Sequence, residues 1–258
     1  MKFYKYQGTG NDFVMIDNRN NLFPKNDTNL IHHLCDRRFG IGADGLILLE
    51  NDNSTDFKMV YYNSDGNQST MCGNGGRCLV AFAKHLGIIQ NKAIFMAIDG
   101  LHHATIDQNN SVSLQMQDVQ AITTTPDYIF LNTGSPHHVM LVPNTQDIDV
   151  KKQGAEIRYS SLYGKEGSNV NFVTQKNENH FALRTYERGV EDETLSCGTG
   201  ATATAIAMHV LGKTNSTNIA IDVEGGQLQV SFEKTSQGYE KVFLVGPATF
   251  VFEGEIKL

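Results

Sequence analysis

A cysteine followed by a glycine-rich run occurs twice in this chain of 258 residues, as "MCGNGGRC" from Met71 to Cys78 and as "SCGTGATAT" from Ser196 to Thr204. The two leading cysteines, Cys72 and Cys197, are 125 positions apart, and several neighbours repeat at that offset without a gap. The matching pairs are Tyr61 and Tyr186, Gly73 and Gly198, Gly75 and Gly200, Leu86 and Leu211, Gly87 and Gly212, Ile94 and Ile219, and Gly100 and Gly225. Self-similarity at a fixed spacing predicts two related half-domains.

Both copies follow the same order of elements: a strand, the cysteine loop, a helix ending at Leu-Gly, a strand, a glycine turn and another strand. An earlier pair, "TGNDFVMI" and "TGSPHHVML", extends the match upstream. Periodicity is lost in "DVQAITTTPD", so we divide the chain into an N-terminal half, 1–120, and a C-terminal half, 121–246. The last segment, 247–258, lies beyond the repeat and is predicted to complete the N-terminal half.

Short runs rich in β-branched and aromatic residues recur along the chain and are separated by Gly, Asn and Asp. This pattern is typical of strands and hairpins that lean towards antiparallel pairing. Apolar periodicity predicts three helices, near Asp27–Arg37, Gly75–Leu86 and Gly198–Leu211. Many strands with few helices predict an α+β fold.

Composition limits the class of partner. The formal net charge is −7 and no stretch is rich in Lys or Arg, which argues against nucleic acid and anionic membrane as main partners and favours a small polar ligand. The first residues lack the apolar core of a signal peptide, and no apolar run reaches the roughly 18 residues of a membrane span. We therefore expect a cytoplasmic protein. A homodimer is possible, but the sequence does not determine the oligomeric state.

Four cysteines in a reducing compartment are more typical of thiols than of disulfides. Cys35 and Cys78 are predicted to be buried core residues, whereas Cys72 and Cys197 precede glycine-rich helix starts and are candidates for chemistry. Three His-His pairs occur, but neighbouring side chains point apart and no ligand spacing accompanies them. We expect neither a metal nor an organic cofactor.

Each cysteine loop is predicted to lie directly before a helix N-terminus, and this position determines which ligand it can bind. Glycines let backbone N–H groups approach a ligand, and a helix N-terminus offers unpaired donors and partial positive charge, so an amino acid carboxylate suits it. The same field lowers a thiol pKa. If two thiols faced one stereocentre, one thiolate would remove a proton while the opposite thiol delivered another. The repeat therefore predicts a cofactor-independent racemase or epimerase.

The quoted loops and four further segments resemble the diaminopimelate epimerase family, in the family's order and over essentially the whole chain. The further segments are "GTGNDFVMID", "RRFGIGADG", "YYNSDGN" and "SNVNFV", and the second loop extends back to "YERGVEDETLSCGTGA". The resemblance implies interconversion of LL- and meso-2,6-diaminopimelate on the route to lysine and peptidoglycan. It also implies two pseudo-symmetric domains, each a curved, mainly antiparallel sheet wrapped round a central helix.

The resemblance also implies roles for individual residues. Cys72 and Cys197 match the family's thiolate/thiol pair, and His137 and Glu187 match residues that assist proton movement around the thiols. The contacts to the reacting end of the substrate match Asn11, Gly73, Asn74, Gly198 and Thr199. The contacts to the distal end match Asn63, Ser135, Asn169, Glu187 and Arg188.

Three positions depart from the family pattern. Ser135 stands where the family usually has Asn, Gly45 stands where Gln is frequent, and "VEDET" is one residue longer than the common "GET" form. The reaction type is unaffected, but the expected contacts to the substrate change.

Three other functions are consistent with parts of the sequence. "GTGATA", from Gly198 to Ala203, fits a relaxed dinucleotide fingerprint, although the preceding strand is too distant for a tight strand-to-helix turn. The thiol pair would equally serve a related isomerase, such as a proline racemase. A non-catalytic amino acid binder would retain the loops without the reaction, and the intact Cys72 and Cys197 argue against it.

Overall fold

The computed structural model describes residues 1–257, which form two compact units, Met1–Leu114 with Gly246–Leu258, and Gln115–Val245. The domain boundaries predicted from the sequence, at 120 and 246, remain a prediction. The first unit contains β1 (Lys2–Gly8), β2 (Asn11–Asp17), α1 (Thr28–Cys35), β3 (Gly45–Glu50), β4 (Phe57–Asn63), α2 (Gly73–His85), β5 (Lys92–Ala97), β6 (Gly100–Ile106), β7 (Ser111–Gln115) and β17 (Thr249–Glu255). The second contains β8 (Ile122–Thr124), β9 (Ile129–Asn132), β10 (Pro136–Leu141), a 3-10 turn (Thr145–Asp147), α3 (Val150–Arg158), β11 (Asn169–Asn177), β12 (His180–Glu187), β13 (Asp192–Thr194), α4 (Gly198–Val210), β14 (Asn218–Val223), β15 (Gly226–Lys234) and β16 (Tyr239–Pro247).

The sheets of the two units have the same topology. In the first unit the strands lie in the order β17-β1-β2-β3-β4-β5-β6-β7, and only β2–β3 and β4–β5 are parallel. In the second the order is β8-β9-β10-β11-β12-β14-β15-β16, with β10–β11 and β12–β14 parallel and β13 as an extra hairpin partner of β12. The predicted α+β class is confirmed, and β17 has in the first unit the place that β8 has in the second.

A central helix follows the cysteine in each unit. Helix α2 packs against β1, β2, β3, β4, β6 and β17, and α4 packs against β9, β10, β11, β12, β14 and β15. Every residue of α2 from Gly73 to Ala83 is buried. Both helices end at a leucine followed by a glycine with positive φ, Gly87 at 71° and Gly212 at 64°, where a glycine avoids the clash of a Cβ.

The sheet of the first unit holds α2 on one face and α1 on the other. Val14, Leu46 and Val60 pack with Ile31 and Leu34 of α1. Their neighbours Phe13, Ile47 and Met59 contact the other helix at Gly75. Since side chains alternate across a strand, both faces need apolar residues, which explains why β3 reads as an unbroken apolar run.

Helix α3 was not predicted from the sequence. Its segment, "VKKQGAEIR", is mostly polar and carries an internal glycine, both of which weaken a helix prediction. The structure explains the glycine, because a Cβ on Gly154 would lie 2.3 Å from Cβ of Tyr186 on β12. Asp149 caps the helix by accepting a hydrogen bond from the Lys152 N–H.

The gapless repeat predicted from the sequence is wrong after the central helices. Ile94 is 41% exposed whereas its partner at the same offset, Ile219, is buried, and β6 begins at Gly100 whereas β15 begins at Gly226 rather than Gly225. The second copy therefore contains one additional residue between its helix and β14. A shift of one residue would move every side chain of a strand to the opposite face of the sheet. The buried positions of β14 therefore correspond to the buried positions of β5, and the additional residue lies in the loop before β14.

Among residues 1–257 no helix combines the length and the apolar character needed to cross a bilayer.

Candidate active site

The first cysteine is the N-cap residue of α2. Cys72 has an extended backbone, with φ −97° and ψ 125°, and its side chain does not cap the helix. The following glycines let the helix start lie close to the sheet, since a Cβ on Gly75 would be 2.9 Å from Cδ1 of Ile47. The sulfur is therefore placed where the first backbone N–H groups of α2 create a positive potential.

Asn11 joins the cysteine loop to the turn between β1 and β2. Its Oδ1 lies 3.6 Å from Sγ of Cys72 and accepts a hydrogen bond of 3.2 Å from Nδ2 of Asn74. Its Nδ2 donates to Oδ2 of Asp44 at 2.6 Å, which fixes which way the amide points. The structure thus brings together three residues predicted from the sequence: Asn11, Cys72 and Asn74.

A charged network behind Asn11 was not predicted. Arg37 donates to both carboxylate oxygens of Asp12 and to Asp44, and Lys5 also pairs with Asp12. Burial opposes ionisation of Asp12, but the hydrogen bonds from Arg37 and Lys5 outweigh it and lower its pKa to about 2. Arg37 and Asp44 both lie in "RRFGIGADG". The many charged residues and glycines of this segment are the sequence feature from which the network could have been suspected.

Asn63 stands apart from this group. It is exposed at the end of β4, opposite Gly45 of β3, and no hydrogen bond joins it to Asn11 in the described chain. A Cβ on Gly45 would lie 2.6 Å from Cε2 of Tyr61 and from the carbonyl oxygen of Tyr62. With Tyr61 in this position, there is no room at position 45 for the side chain of Gln.

The second cysteine repeats the arrangement in its own unit. Cys197 is the N-cap residue of α4, only 6% exposed, and its Sγ lies 3.5 Å from Oγ1 of Thr199. Thr133, in the turn that matches Thr9, donates from Oγ1 to the carbonyl oxygen of Thr199 at 2.9 Å. In both units the Thr-Gly turn contacts the start of the central helix.

His137 is fully buried on β10 beside Asn171, a residue that sequence reasoning missed. Nδ2 of Asn171 donates to the carbonyl oxygen of His138 and lies 3.0 Å from Nδ1 of His137. Since a carbonyl only accepts, this Nδ2 is a donor, Nδ1 of His137 is an acceptor and Nε2 carries the proton. Burial lowers the pKa of His137 to about 3, so the ring is neutral at pH 7.

The proton-bearing Nε2 of His137 is buried and has no hydrogen-bond partner in the described chain. Asn171 lies close to the second cysteine loop, because a Cβ on Gly200 would be 2.6 Å from Oδ1 of Asn171 and 3.3 Å from Sγ of Cys197. The available signal for Asn171 was its spacing of two from Asn169, which places both on one face of β11.

Ser135, Asn169 and Arg188 are linked in the second unit. Nδ2 of Asn169 donates to Oγ of Ser135 at 2.8 Å, and its Oδ1 accepts from the backbone N–H of Arg188 at 2.9 Å. The guanidinium of Arg188 donates from Nη1 to the carbonyl oxygen of Glu166 at 3.2 Å. The shorter Ser135 therefore makes a direct contact with Asn169.

The loop after Glu187, which is one residue longer than the common form, is stabilised by hydrogen bonds to the carboxylate of Glu191. Glu191 has a left-handed backbone, with φ 58°, and its carboxylate accepts from the N–H of Gly189, the hydroxyl of Tyr186 and Nη2 of Arg158. Oε2 of Glu187 accepts a hydrogen bond of 2.9 Å from Oγ1 of Thr194. The insertion thus forms a closed turn between β12 and β13.

The remaining thiols are buried, as predicted. Cys35 is 3% exposed and Cys78 is 0% exposed, and burial raises the pKa of each to about 12. Across residues 1–257 no group of three or more His, Cys, Asp or Glu side chains is arranged to hold a metal ion.

Comparison with known proteins identifies the family. The profile described as diaminopimelate epimerase matches residues 3–122 and 129–251. The chain belongs to the diaminopimelate epimerase family. The diaminopimelate epimerase of Flavobacterium psychrophilum is 69% identical over 256 residues, which cover 99% of this chain and 100% of that protein. The diaminopimelate epimerase of Chlorobaculum tepidum is 42% identical, with 97% of this chain and 99% of that protein covered.

Solved structures with the same fold are much more distant in sequence from this member of the diaminopimelate epimerase family. A Bacillus anthracis phenazine biosynthesis protein of the PhzF family superimposes with a TM-score of 0.80 at 12% identity and covers 100% of this chain and 99% of its own. A probable proline racemase from Agrobacterium radiobacter gives a TM-score of 0.69 at 14% identity, with 100% and 93% covered. At this level of identity the likeness concerns the fold alone.

Proposed function

We propose that this protein is an epimerase that interconverts LL- and meso-2,6-diaminopimelate without a cofactor, in the biosynthesis of lysine and of peptidoglycan precursors. Family membership over the whole chain supports the substrate. One observation carries the reaction type: each unit places a cysteine, Cys72 or Cys197, as the N-cap of its central helix, next to glycines whose backbone N–H groups suit a carboxylate.

In the proposed reaction one cysteine is a thiolate and the other a thiol. The thiolate takes the α-hydrogen as a proton, so an S–H bond forms, the C–H bond breaks and its electron pair passes into the α-carbon and carboxylate. The thiol then gives its proton to the opposite face, so a new C–H bond forms and its sulfur keeps the charge. Inversion leaves the two sulfurs with exchanged protonation states, and proton exchange with solvent restores them before the next turnover in the same direction.

The helix starts would stabilise the charge that develops on the carboxylate. In the proposal Gly73 and Asn74 of α2, Gly198 and Thr199 of α4, and Asn11 hold the α-carboxylate. The hydrogen bonds from Asn11 to Asp44 and from Thr133 to Thr199 support the role, because they fix these groups before the substrate arrives. Donors that are already in place need no reorganisation during the reaction.

The distal amino acid end of the substrate is assigned to Asn63, Ser135, Asn169, Glu187 and Arg188. Hydrogen bonds from Asn169 to Ser135 and from Arg188 to Asn169 support a common site for these three residues. In the described chain the Arg188 guanidinium has one hydrogen bond, through Nη1, so its other N–H groups can bind a carboxylate in the planar, bidentate manner of arginine.

His137 and Glu187 are proposed to assist proton movement around the thiols. A neutral His137 whose Nε2–H is buried supports this role, because such a donor favours a nearby anion without adding a full charge. Glu187 is held by Thr194, which limits its side-chain rotamers.

The decisive experiment is deuterium exchange. The purified protein is incubated in D₂O with LL- or meso-diaminopimelate, and deuterium at the α-carbon and the change of stereoisomer are both followed. We expect both substrates to exchange and to interconvert. Cys72→Ser and Cys197→Ser each should lower epimerisation by about 10²- to 10⁴-fold, the range for loss of one acid or base.

Controls separate this function from its alternatives. Cys35→Ala removes a buried thiol on the α1 face and is expected to retain exchange, so a general effect of cysteine loss is distinguished. Exchange of proline but not of diaminopimelate would indicate a related isomerase, and binding without exchange would indicate a non-catalytic binder. Full exchange by both cysteine variants would disprove the two-thiol mechanism.

We further propose that the reaction takes place in the cytoplasm, whose reducing conditions keep the thiols reduced. The substrate is a small molecule, with no role assigned to nucleic acid. A homodimer is the assembly to be tested, by sedimentation of the purified protein.

A further inference from the structure

Arg77 is a charged residue in the interior of the first unit. It lies in the second turn of α2, its side chain is 0% exposed, and it forms no ion pair with an Asp or Glu in the described chain. Its one hydrogen bond runs from Nη2 to Oγ1 of Thr9, at 3.3 Å, while Nε and Nη1 have no partner. Burial lowers its pKa, but an arginine guanidinium remains protonated in proteins.

An isolated buried charge is costly, so the fold is expected to supply an anion. Cys72 and Cys78 interact electrostatically with the guanidinium of Arg77, Asp12 of β2 interacts with Cys78, and Cys78 in turn interacts with Tyr6 of β1. Burial is the main reason that the pKa of Tyr6 lies above its usual value, and burial likewise raises the pKa of Cys78 to about 12, so both are neutral at pH 7.

Asp12 is already neutralised, because it pairs with both Lys5 and Arg37. Cys72 remains. It lies five residues before Arg77 at the start of the same helix, is only partly buried, and is the first of the two thiols assigned to the reaction.

Only the first unit has a charged residue at this position of its central helix. At the repeat offset Arg77 corresponds to Thr202, which is also fully buried in its helix but neutral, and whose hydroxyl donates to the carbonyl oxygen of Gly198. The two cysteines therefore occupy the same position at a helix start, but the buried residue five positions later is charged in one helix and neutral in the other. This asymmetry distinguishes two positions that the repeat otherwise makes equivalent.

We propose that Arg77 is a positioning residue whose buried guanidinium balances the thiolate of Cys72, so that in the resting enzyme Cys72 is the thiolate and Cys197 the thiol. The proposal rests on the two-thiol function. The guanidinium also holds Thr9, which has a left-handed backbone with φ 51°, against α2. The same turn carries Asn11, whose Oδ1 contacts both Cys72 and Asn74.

Alkylation by iodoacetamide tests this order of ionisation without relying on activity. The reagent reacts with thiolates, so the pH dependence of the rate at each cysteine, resolved by peptide mapping, gives the pKa of each thiol. In the unmodified enzyme we expect Cys72 to be alkylated with a lower apparent pKa than Cys197. The reverse order would overturn the proposal with no variant required.

Substitution then links the order to Arg77. In Arg77→Met the apparent pKa of Cys72 should rise by about one unit or more, which slows its alkylation by about tenfold at pH values below both pKa values, while Cys197 is unchanged. Arg77→Lys should restore most of the difference. Thr202→Val, the repeat-matched control, should leave Cys72 unchanged. A folded Arg77→Met with unaltered Cys72 reactivity would refute the role.

Kinetics distinguish positioning from general destabilisation. In Arg77→Met we expect kcat to fall while KM changes little, and the acidic limb of the kcat/KM profile to move to higher pH. Absence of epimerisation in the unmodified protein would refute the proposed function instead, and the alkylation order would still be measurable. The two failures are therefore separable.

Discussion

At the scale of single residues, the neutral His137 is expected to couple stability to pH. Its pKa is about 3 in the folded protein because of burial, against about 6.5 in an unfolded chain. The unfolded state therefore binds more protons as the pH falls below about 6.5, and stability present above that pH is lost towards pH 3. We expect the unfolding free energy to fall by up to about 1.4 kcal/mol per pH unit from this residue.

Urea unfolding at several pH values between 7 and 4.5 measures this slope. His137→Gln should reduce it, whatever its effect on stability at pH 7, whereas His33→Gln, at an exposed position of α1, should leave it unchanged. Equal slopes in the native protein and His137→Gln would show that His137 is not the group responsible.

Residues of the candidate site differed in how far the sequence revealed them. Cys72 and Cys197 were identifiable because both their type and their spacing repeat. Asn171 was harder to identify, because its spacing from Asn169 indicates a shared strand face but does not reveal the contacts with His137 and His138. The contribution of Asp44 to fixing Asn11 likewise arises from a contact across 33 positions of chain.

At the scale of elements, α3 is expected to depend on its internal glycine. Gly154→Ala would normally favour a helix by about 1 kcal/mol, but here the added Cβ would lie 2.3 Å from Cβ of Tyr186. Displacing α3 from β12 should cost more than this gain, so we expect a net loss of about 1–2 kcal/mol in unfolding free energy. Denaturant unfolding checks the sign.

Lys152→Ala, on an exposed position of the same helix, is the control and should change stability by less than about 0.5 kcal/mol. A stabilised Gly154→Ala would mean that propensity rather than the Tyr186 contact governs this helix.

Element boundaries were predictable where local chemistry defines them. The central helices were predicted nearly to their ends, since Leu-Gly stops them in both copies. The extra residue before β14 was missed, because the repeat was aligned on identical residue types. The structure instead aligns buried positions, so that Phe95 of β5 corresponds to Ile221 of β14. Helix α3 needed knowledge of its packing partner.

At the scale of the whole molecule, the first unit is built from both ends of the chain. β1 pairs with β17 from Lys2 opposite Glu255 to Gln7 opposite Thr249, and the Met1 amino group donates to the carbonyl oxygen of Ile256. A circular permutant that begins at Thr249, with a short Gly/Ser linker from Leu258 to Met1, would turn this pair into a hairpin. The equivalent strands of the other unit, β8 and β9, are already connected in sequence.

We expect this permutant to fold and to retain epimerisation within about tenfold, because Met1 already lies within hydrogen-bonding distance of Ile256 and adjacent ends favour permutation. Circular dichroism, urea unfolding and the deuterium assay measure the outcome. Deletion of 249–258 without the linker is the comparison and should fail to fold cooperatively, since it leaves the β1 edge unpaired. A permutant as unstable as the deletion would contradict a purely structural role for β17.

The place of β17 also sets an order in time. A ribosome synthesises residues 115–245, which form the second unit, before it makes the strand that closes the first. The first unit therefore keeps an open edge on β1 until β17 has been synthesised and released. Residues 1–114 are synthesised first, yet we expect their unit to close only once the last strand of the chain has left the ribosome.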